Sequence, residues 1–296
     1  MPMRSRPAAS RARRLLAEFA RRARDAGQAL AGRVVTGPVL RGPFPRLVVP
    51  LDHPAVVRPP PGPHAFAAIE ALFEAHRPAI EAALAALEPH LFAPGLRAVP
   101  AQAADGTGPY WNNGYFSGAD ARLAYAFVQW LRPRRIVEIG SGSSTRFFRK
   151  AIADAGSATE LTCIDPAPRA EIQGIADRVL RRSVLEVELD LFRGLEPGDI
   201  LFLDGSHLCF SGTDTVRFFL EILPEVRAGV VVHVHDVCLP LDYIEPFRER
   251  GYGEQYVLAA SLLGARTLEP LVPVAWLEAQ GRLGGEGGVS FWARRL

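Results

Sequence analysis

Between Ile136 and Asp236 the chain carries four short apolar runs, each with a carboxylate at or next to its end. They are Ile136-Val137-Glu138-Ile139, Leu161-Thr162-Cys163-Ile164-Asp165, Ile200-Leu201-Phe202-Leu203-Asp204 and Val230-Val231-Val232-His233-Val234-His235-Asp236. Stretches with helical periodicity separate them, at 144–155, 167–176 and 213–223. Strands that alternate with helices at this spacing form a mostly parallel sheet, because a crossover helix must return the chain to its starting edge. Right-handed crossovers then bring every strand end to one side, where such sheets bind their ligands. Further extended runs at 179–182, 271–276 and 289–293 make seven strands in all. Helices are expected at 244–250 and 255–263.

The rest of the chain divides by composition. Residues 1–36 read as a basic helix or arm, with nine Arg against Glu18 and Asp25. Residues 37–63 read as a linker holding nine prolines, with Leu47-Val48-Val49 as a short edge strand. Residues 64–132 read as a helical lid or substrate region, with a break near Arg77-Pro78 and a further helix over 118–131. The sheet domain occupies 133–296. Arginine dominates the basic residues chain-wide, 33 against the single Lys150, so the arginines of the arm carry no special message. Outside the arm the net charge is about −5, which excludes a body that coats nucleic acid. No apolar run approaches the roughly 18–20 residues of a membrane span. Three cysteines without a CxxC pair fit a reducing cytoplasm. The expected partner is a small molecule, with a homo-oligomer left open.

The chemistry begins at Glu138-Ile139-Gly140-Ser141-Gly142-Ser143-Ser144-Thr145. Glycines after a buried strand let the backbone pass close to a ligand. The third glycine of a dinucleotide fingerprint is absent, and Ser144 and Thr145 stand there instead. Glu138 would repel a pyrophosphate and attract a cationic amino group, such as that of S-adenosylmethionine. Asp165, 23 residues after Gly142, stands where an acid accepts hydrogen bonds from ribose hydroxyls. Asp204 and Asp236 end two strands expected to be neighbours. Two converging carboxylates are costly without a counter-charge, and oxygen donors favour Mg²⁺ or a similar ion. His207 follows Asp204 by three residues and His235 precedes Asp236. His233 is expected on the opposite side of the sheet from His235, as a structural residue.

These segments, with Pro240-Leu241-Asp242-Tyr243, Glu254-Gln255-Tyr256 and Ser290-Phe291-Trp292, give the last 60% of the chain a family resemblance. Residues from about Asn112 onward resemble class I S-adenosylmethionine-dependent methyltransferases, with their Rossmann-like sheet covered by helices on both faces. Within these they are similar to the macrocin and mycinamicin type of macrolide-sugar O-methyltransferase. The resemblance implies roles residue by residue. Gly140, Ser141 and Gly142 would pass the methionine part of the cofactor, with Glu138 near its amino group. Asp165 would hold the ribose, and Ser183 and Val184 would line the adenine. Asp204, beside the cofactor, and Asp236 would bind Mg²⁺. His207 would be the general base. His235 stands where the relatives carry an acid, and offers a neutral nitrogen ligand or a second base.

The activity so implied is metal-assisted O-methylation of a small hydroxylated molecule, a sugar or natural product. Two other classes compete with it. One is a nicotinamide-dependent oxidoreductase on a similar sheet, disfavoured by Glu138 and the missing glycine. The other is a non-catalytic cofactor-binding interaction module, disfavoured by the intact acids Glu138, Asp165, Asp204 and Asp236. Acceptor specificity is expected from 111–116, 239–243 and the helices before Pro133.

Overall fold

The computed structural model describes residues 64–104, 106–168, 172–245, 247–264 and 266–296, together with one small strand pair. Two units are distinguished, Met1–Pro59 and Pro60–Leu296. In the first, Val35–Thr36 and Leu47–Val48 pair antiparallel, so the edge strand expected at Leu47 is present. The basic helix of 1–36 and the remainder of the 37–63 linker lie outside the described residues.

The second unit is built on a seven-stranded sheet. Its strands are β1 (Arg135–Ile139), β2 (Glu160–Ile164), β3 (Arg178–Leu180), β4 (Ile200–Leu203), β5 (Val231–Val234), β6 (Leu268–Pro273) and β7 (Phe291–Arg295). They lie in the order β3-β2-β1-β4-β5-β7-β6. The first five pair in parallel, and β7 runs antiparallel between β5 and β6. Every residue of β4 and β5 is buried, as expected of central strands covered on both faces. The order reverses at β1, so the crevice between the ends of β1 and β4 is the topological switch point where such sheets bind ligands. An all-parallel dinucleotide sheet has no antiparallel strand of the β7 kind.

Helices Ala67–Ala75 (α1) and Arg77–Leu91 (α2) meet at His76, as the break before Pro78 predicts. Helix Gly118–Leu131 (α3) packs between α2 and Ser143–Ala155 (α4). Its buried Phe127 stacks on Trp292 of β7 with ring centroids 4.1 Å apart. Residues 214–225 form one helix (α5) interrupted by a π segment, Phe218–Ile222. Helices α6 (Glu254–Gly264) and α7 (Val274–Ala279) follow. Among the described residues no helix is long and apolar enough to cross a membrane.

Four expectations need correction. The described part of 167–176 holds bends, turns and a bridge from Gln173 to Ala176, not a helix. Pro166 and Pro168 remove backbone donors there, and Gly174 adopts φ +80°. The described part of 244–250 holds turns, not a helix: Pro246 has no backbone donor to give, and Gly251 (φ +70°) follows. The late strands are displaced: β6 ends at Pro273 and Trp276 belongs to α7, while β7 starts at Phe291. Val289 and Ser290 lie ahead of β7 because their N–H groups donate to the Asp120 carboxylate, at 3.0 and 2.9 Å. Finally, His233 shares a face with His235, their ring centroids 5.8 Å apart. Residues two apart on a strand point the same way. His233 is nevertheless structural: it stacks on Phe202 at 3.8 Å and bonds Ser290 Oγ at 2.9 Å. Burial, then the neighbouring His235, hold its pKa well below the usual value.

At the switch point Gly140 has φ +81°, and a Cβ there would lie 1.8 Å from the carbonyl oxygen of Asp204. Neither strain nor clash can relax without separating β1 from β4. Gly140→Ala is expected to lower stability by about 3 kcal/mol or more, read from the urea midpoint. A loss under about 1 kcal/mol would show that the two strand ends are not tightly held.

Candidate active site

The loop after β1 is held from below. Glu138 is fully buried, and its carboxylate accepts hydrogen bonds from Ser144 Oγ, from Thr145 Oγ1 at 2.6 Å and from the Cys163 thiol at 3.1 Å. Burial pushes its pKa up to about 7, against the lowering effect of these three donors. Thr145 in turn accepts the Gly142 N–H at 3.0 Å, so the acid, the loop and the first turn of α4 form one unit. The Glu138 carboxylate therefore anchors the loop.

Asp165 holds the same loop from the side. One carboxylate oxygen accepts the Ser141 N–H at 2.9 Å and the Ser141 hydroxyl at 3.1 Å; the other accepts the Ala167 N–H at 2.8 Å. The first oxygen thereby uses both of its lone pairs, and the second keeps one for a further donor. At Gly142 a Cβ would meet nothing within 4 Å, so open space lies beside the loop. Beyond β3, Ser183 caps a short 3₁₀ turn, accepting the Leu185 N–H at 3.2 Å, and Val184 is buried.

Next to the loop, the ends of β4 and β5 bring together Asp204, His207, His235 and Asp236. His207 Nε2 lies 3.4 Å from Asp204 Oδ1 and 3.4 Å from Asp236 Oδ2. Its Nδ1 forms a short hydrogen bond with the fully buried Glu254 at the start of α6. Tyr252 stacks on its ring at 4.3 Å. His235 Nδ1 lies 3.3 Å from Asp236 Oδ1 and 3.7 Å from Asp204 Oδ1, and its Nε2 is 3.4 Å from Asp120 Oδ2. His207 (φ 62°) and Asp236 (φ 55°) both adopt the left-handed backbone. For non-glycine residues this is uncommon and costs roughly 1–3 kcal/mol, so the surrounding structure imposes it.

The electrostatics follow from this packing. Burial alone would lower the pKa of His207, but Glu254, then Asp204 and Asp236, outweigh it and raise it to about 9. Burial also opposes charge on His235, and Asp204, Asp120 and Asp236 outweigh it. Burial raises Asp236, against the pull of the two imidazoles. Burial also raises Glu254, to about 7, against the pull of His207. Four carboxylates, Asp120, Asp204, Asp236 and Glu254, thus face two imidazoles, and acidic groups are in excess. A divalent cation fits that excess. Among the described residues Asp204, His207 and Asp236 each offer a donor atom, all within 4.8 Å of one another.

The loop 111–116 reaches the same place. Asn113 staples it, donating to the carbonyls of Tyr110 and Phe116 and accepting the N–H groups of Tyr115 and Phe116. Phe116 thereby packs on His235 at 5.3 Å, while Tyr115 is exposed. Two carboxylates at the site had no assigned role in the sequence. Glu254 stands 47 residues from His207, with no local signal for the contact. Asp120, in the first turn of α3, reads as an ordinary favourable acid at a helix start.

Residues 137–237 match the family model of a methyltransferase domain. That stretch runs from β1 through the glycine loop to just past Asp236, and it supports a methyltransferase. An uncharacterized protein of Archaeoglobus fulgidus is 34% identical over 100 residues, 29% of this chain and 42% of that protein. The chain thus spans less than half the length of this relative. Among solved structures, an apo-structure of CmcI is similar at 17% identity, covering 64% of this chain and 77% of that chain with a TM-score of 0.42. Cofactor-bound Rv0187 from MTB is similar at 20% identity over 74% of this chain and 89% of its own, TM-score 0.39. The SAH-bound methyltransferase PaMTH1 of Podospora anserina is similar at 16% identity over 60% and 77%, TM-score 0.39. All three scores lie below 0.5, and the fold rests on this chain's own strand order.

Two measurements test the site. The folded pKa of Glu138, about 7, is above the ordinary carboxylate value, so the fold prefers the protonated acid. Its contribution to stability is full at pH below about 4.5 and falls as pH rises toward 7. In Glu138→Gln this part of the pH slope is expected to vanish in urea melts; an unchanged slope would assign it elsewhere. In Glu254→Gln the loss of the opposite charge is expected to lower the His207 titration midpoint by about 1–3 units in NMR. An unmoved midpoint would remove Glu254 as its partner.

Proposed function

We propose that the chain is an S-adenosylmethionine-dependent methyltransferase acting on a hydroxyl oxygen of a small hydroxylated molecule, a sugar or natural product, with a divalent cation beside the acceptor. The observation that carries this reading is the convergence, at one sheet edge, of the glycine loop with Asp204, Asp236 and the Glu254-backed His207. The methyltransferase-domain match over 137–237 supports it.

The residues fit the absent groups in kind. The backbone of Gly140, Ser141 and Gly142 would pass the methionine part of the donor, with open space at Gly142, while Glu138 holds the loop's shape from beneath. Asp165 has acceptor capacity for the ribose, and Ser183 and Val184 stand past β3 for the adenine. Asp204 and Asp236 are the oxygen ligands for the cation. When bound, the donor supplies an electrophilic methyl group on a sulfonium, and the cation supplies positive charge that acidifies the acceptor hydroxyl.

The chain's own work is orientation and proton transfer. His207 Nε2 faces the Asp204–Asp236 pair and takes the hydroxyl proton, while Nδ1 stays on Glu254. Glu254 fixes the ring and stabilises the imidazolium that forms. His207 accepts a proton only as the neutral imidazole, and a cation held by Asp204 and Asp236 favours that form by charge alone. Phe116 and Tyr252 wall the two imidazoles and restrict water.

Titration calorimetry is expected to show binding of S-adenosylmethionine and none of NAD; no binding of the former at millimolar concentration overturns the reading. With labelled donor and a panel of hydroxylated sugars and glycosides, His207→Ala is expected to lose about 10²–10⁴-fold in turnover with donor affinity kept. Chelator is expected to abolish transfer and Mg²⁺ or Mn²⁺ to restore it. Full activity in Asp236→Ala would refute the cation role.

A further inference from the structure

The loop that carries His207 follows β4, and the turn at Ser183 follows β3. Two other strands separate these in the sheet, which runs β3-β2-β1-β4. Strand pairing therefore does not hold the loop and the turn to one another, but the first turn of α5 reaches both. Asp214 accepts the Ser206 N–H at 2.7 Å on one carboxylate oxygen and the Ser206 hydroxyl on the other. The Ser206 hydroxyl oxygen in turn accepts the Leu208 N–H at 3.3 Å, so the clamp grips the backbone on both sides of His207. The loop is pressed close: a Cβ at Gly205 would lie 2.3 Å from Asp214 Oδ2. Within this clamp His207 keeps its left-handed backbone (φ 62°), which needs outside support.

Three residues on, Arg217 stands on the same face of the helix. Its Nη1 donates to the Val184 carbonyl at 2.8 Å and its Nη2 to the Val187 carbonyl at 2.7 Å. A planar guanidinium serves two carbonyls at once, which an ammonium cannot do in the same geometry. The turn so held starts at Ser183 and contains the buried Val184. Directly after Arg217 the helix widens into its π segment, where Phe218 and Ile222 are fully buried and fix this end of the helix in the core. Such segments are rare and recur at functional sites.

We propose that Asp214 and Arg217 are positioning residues of the transfer reaction: Asp214 presents the base, His207, and Arg217 holds the turn that takes the adenine of the donor. The inference rests on the methyltransferase reading given above. Each residue acts through the loop it holds, so α5 sets the base and the donor in one frame. Small displacements of either are costly, because transfer depends on near-attack geometry.

The test uses the full-length protein, Asp214→Ala, Asp214→Asn and Arg217→Lys, each measured for melting temperature, for S-adenosylmethionine affinity by calorimetry, and for the His207 ring-proton shifts by NMR at one pH. Stacking on Tyr252 places those protons in a ring current. Asp214→Ala is expected to move them toward the position of an exposed histidine, with donor affinity kept within about twofold, and to lower turnover at saturating donor about tenfold or more. Asp214→Asn still accepts the Ser206 N–H and can donate to its hydroxyl, so it is expected to restore the native shifts. Arg217→Lys is expected to weaken donor binding about tenfold and to leave the His207 signals in place. Unmoved His207 signals in Asp214→Ala, or unchanged donor affinity in Arg217→Lys, overturn the inference even where the melting temperature falls, since the residues then only stabilise the fold. Should Asp214→Ala fail to fold, Ser206→Ala, which removes only the hydroxyl arm of the clamp, carries the decision on the same signals. A native protein that binds no S-adenosylmethionine overturns the methyltransferase reading itself, which the variants leave untouched.

Discussion

The contact on which the rest depends is the approach of Gly140 to the Asp204 carbonyl. β1 and β4 lie side by side in a parallel sheet, and the chain leaves β1 in opposite directions on its two sides. The Asp204 N–H donates to the Ile139 carbonyl at 2.8 Å, and the Gly140 N–H to the Ile164 carbonyl at 2.9 Å, so the loop is tied to both neighbouring strands. No side chain fits between the Gly140 backbone and Asp204. The loop around Gly142 and the acid pair therefore share one crevice, and a ligand over the first is adjacent to groups on the second. Glu138 supports this from inside, its carboxylate shared among Ser144, Thr145 and Cys163.

Around that crevice the structure concentrates a charge problem that packing alone does not solve. Asp120, Asp204, Asp236 and Glu254 surround His207 and His235 in a largely buried space. Carboxylates gathered out of water cost several kcal/mol unless compensated, in order of magnitude. The backbone adds strain at His207 and Asp236, both left-handed. Strain and unbalanced charge at one strand edge mark a place kept for binding and chemistry rather than for stability.

Much of this was legible along the chain. The apolar runs ending at Glu138, Asp165, Asp204 and Asp236 are central strands whose both faces are covered, so they read as continuous hydrophobic stretches. Helix α3 kept its expected bounds because its apolar face is nearly continuous and Pro133 stops it. The failures have local causes. Around 167–176 the prolines and Gly174 outweighed an apparent helical period. In the 271–276 run, a β-branched sequence was divided between strand and helix by pairing with β7. His233 was placed on the wrong face, although a period of two puts it with His235.

The sequence by itself determined the architecture and the cast at its edge: strand–helix alternation admits few topologies, and acids at parallel strand ends must emerge on one side. It determined the need for glycine at position 140 in kind, since a strand-to-helix loop beside a ligand requires close backbone approach. Only the tertiary structure decided what each group faces. Glu254 meets His207 from 47 residues away, and Asp120 meets His235 from another helix. Such partnerships depend on the docking of α3 and α6 against the strand ends, a long-range packing outcome that local pattern does not encode. For the same reason Glu138, expected to face a ligand, is turned inward: the hydroxyls of Ser144 and Thr145 lie beneath the loop, and a buried carboxylate goes where its donors are.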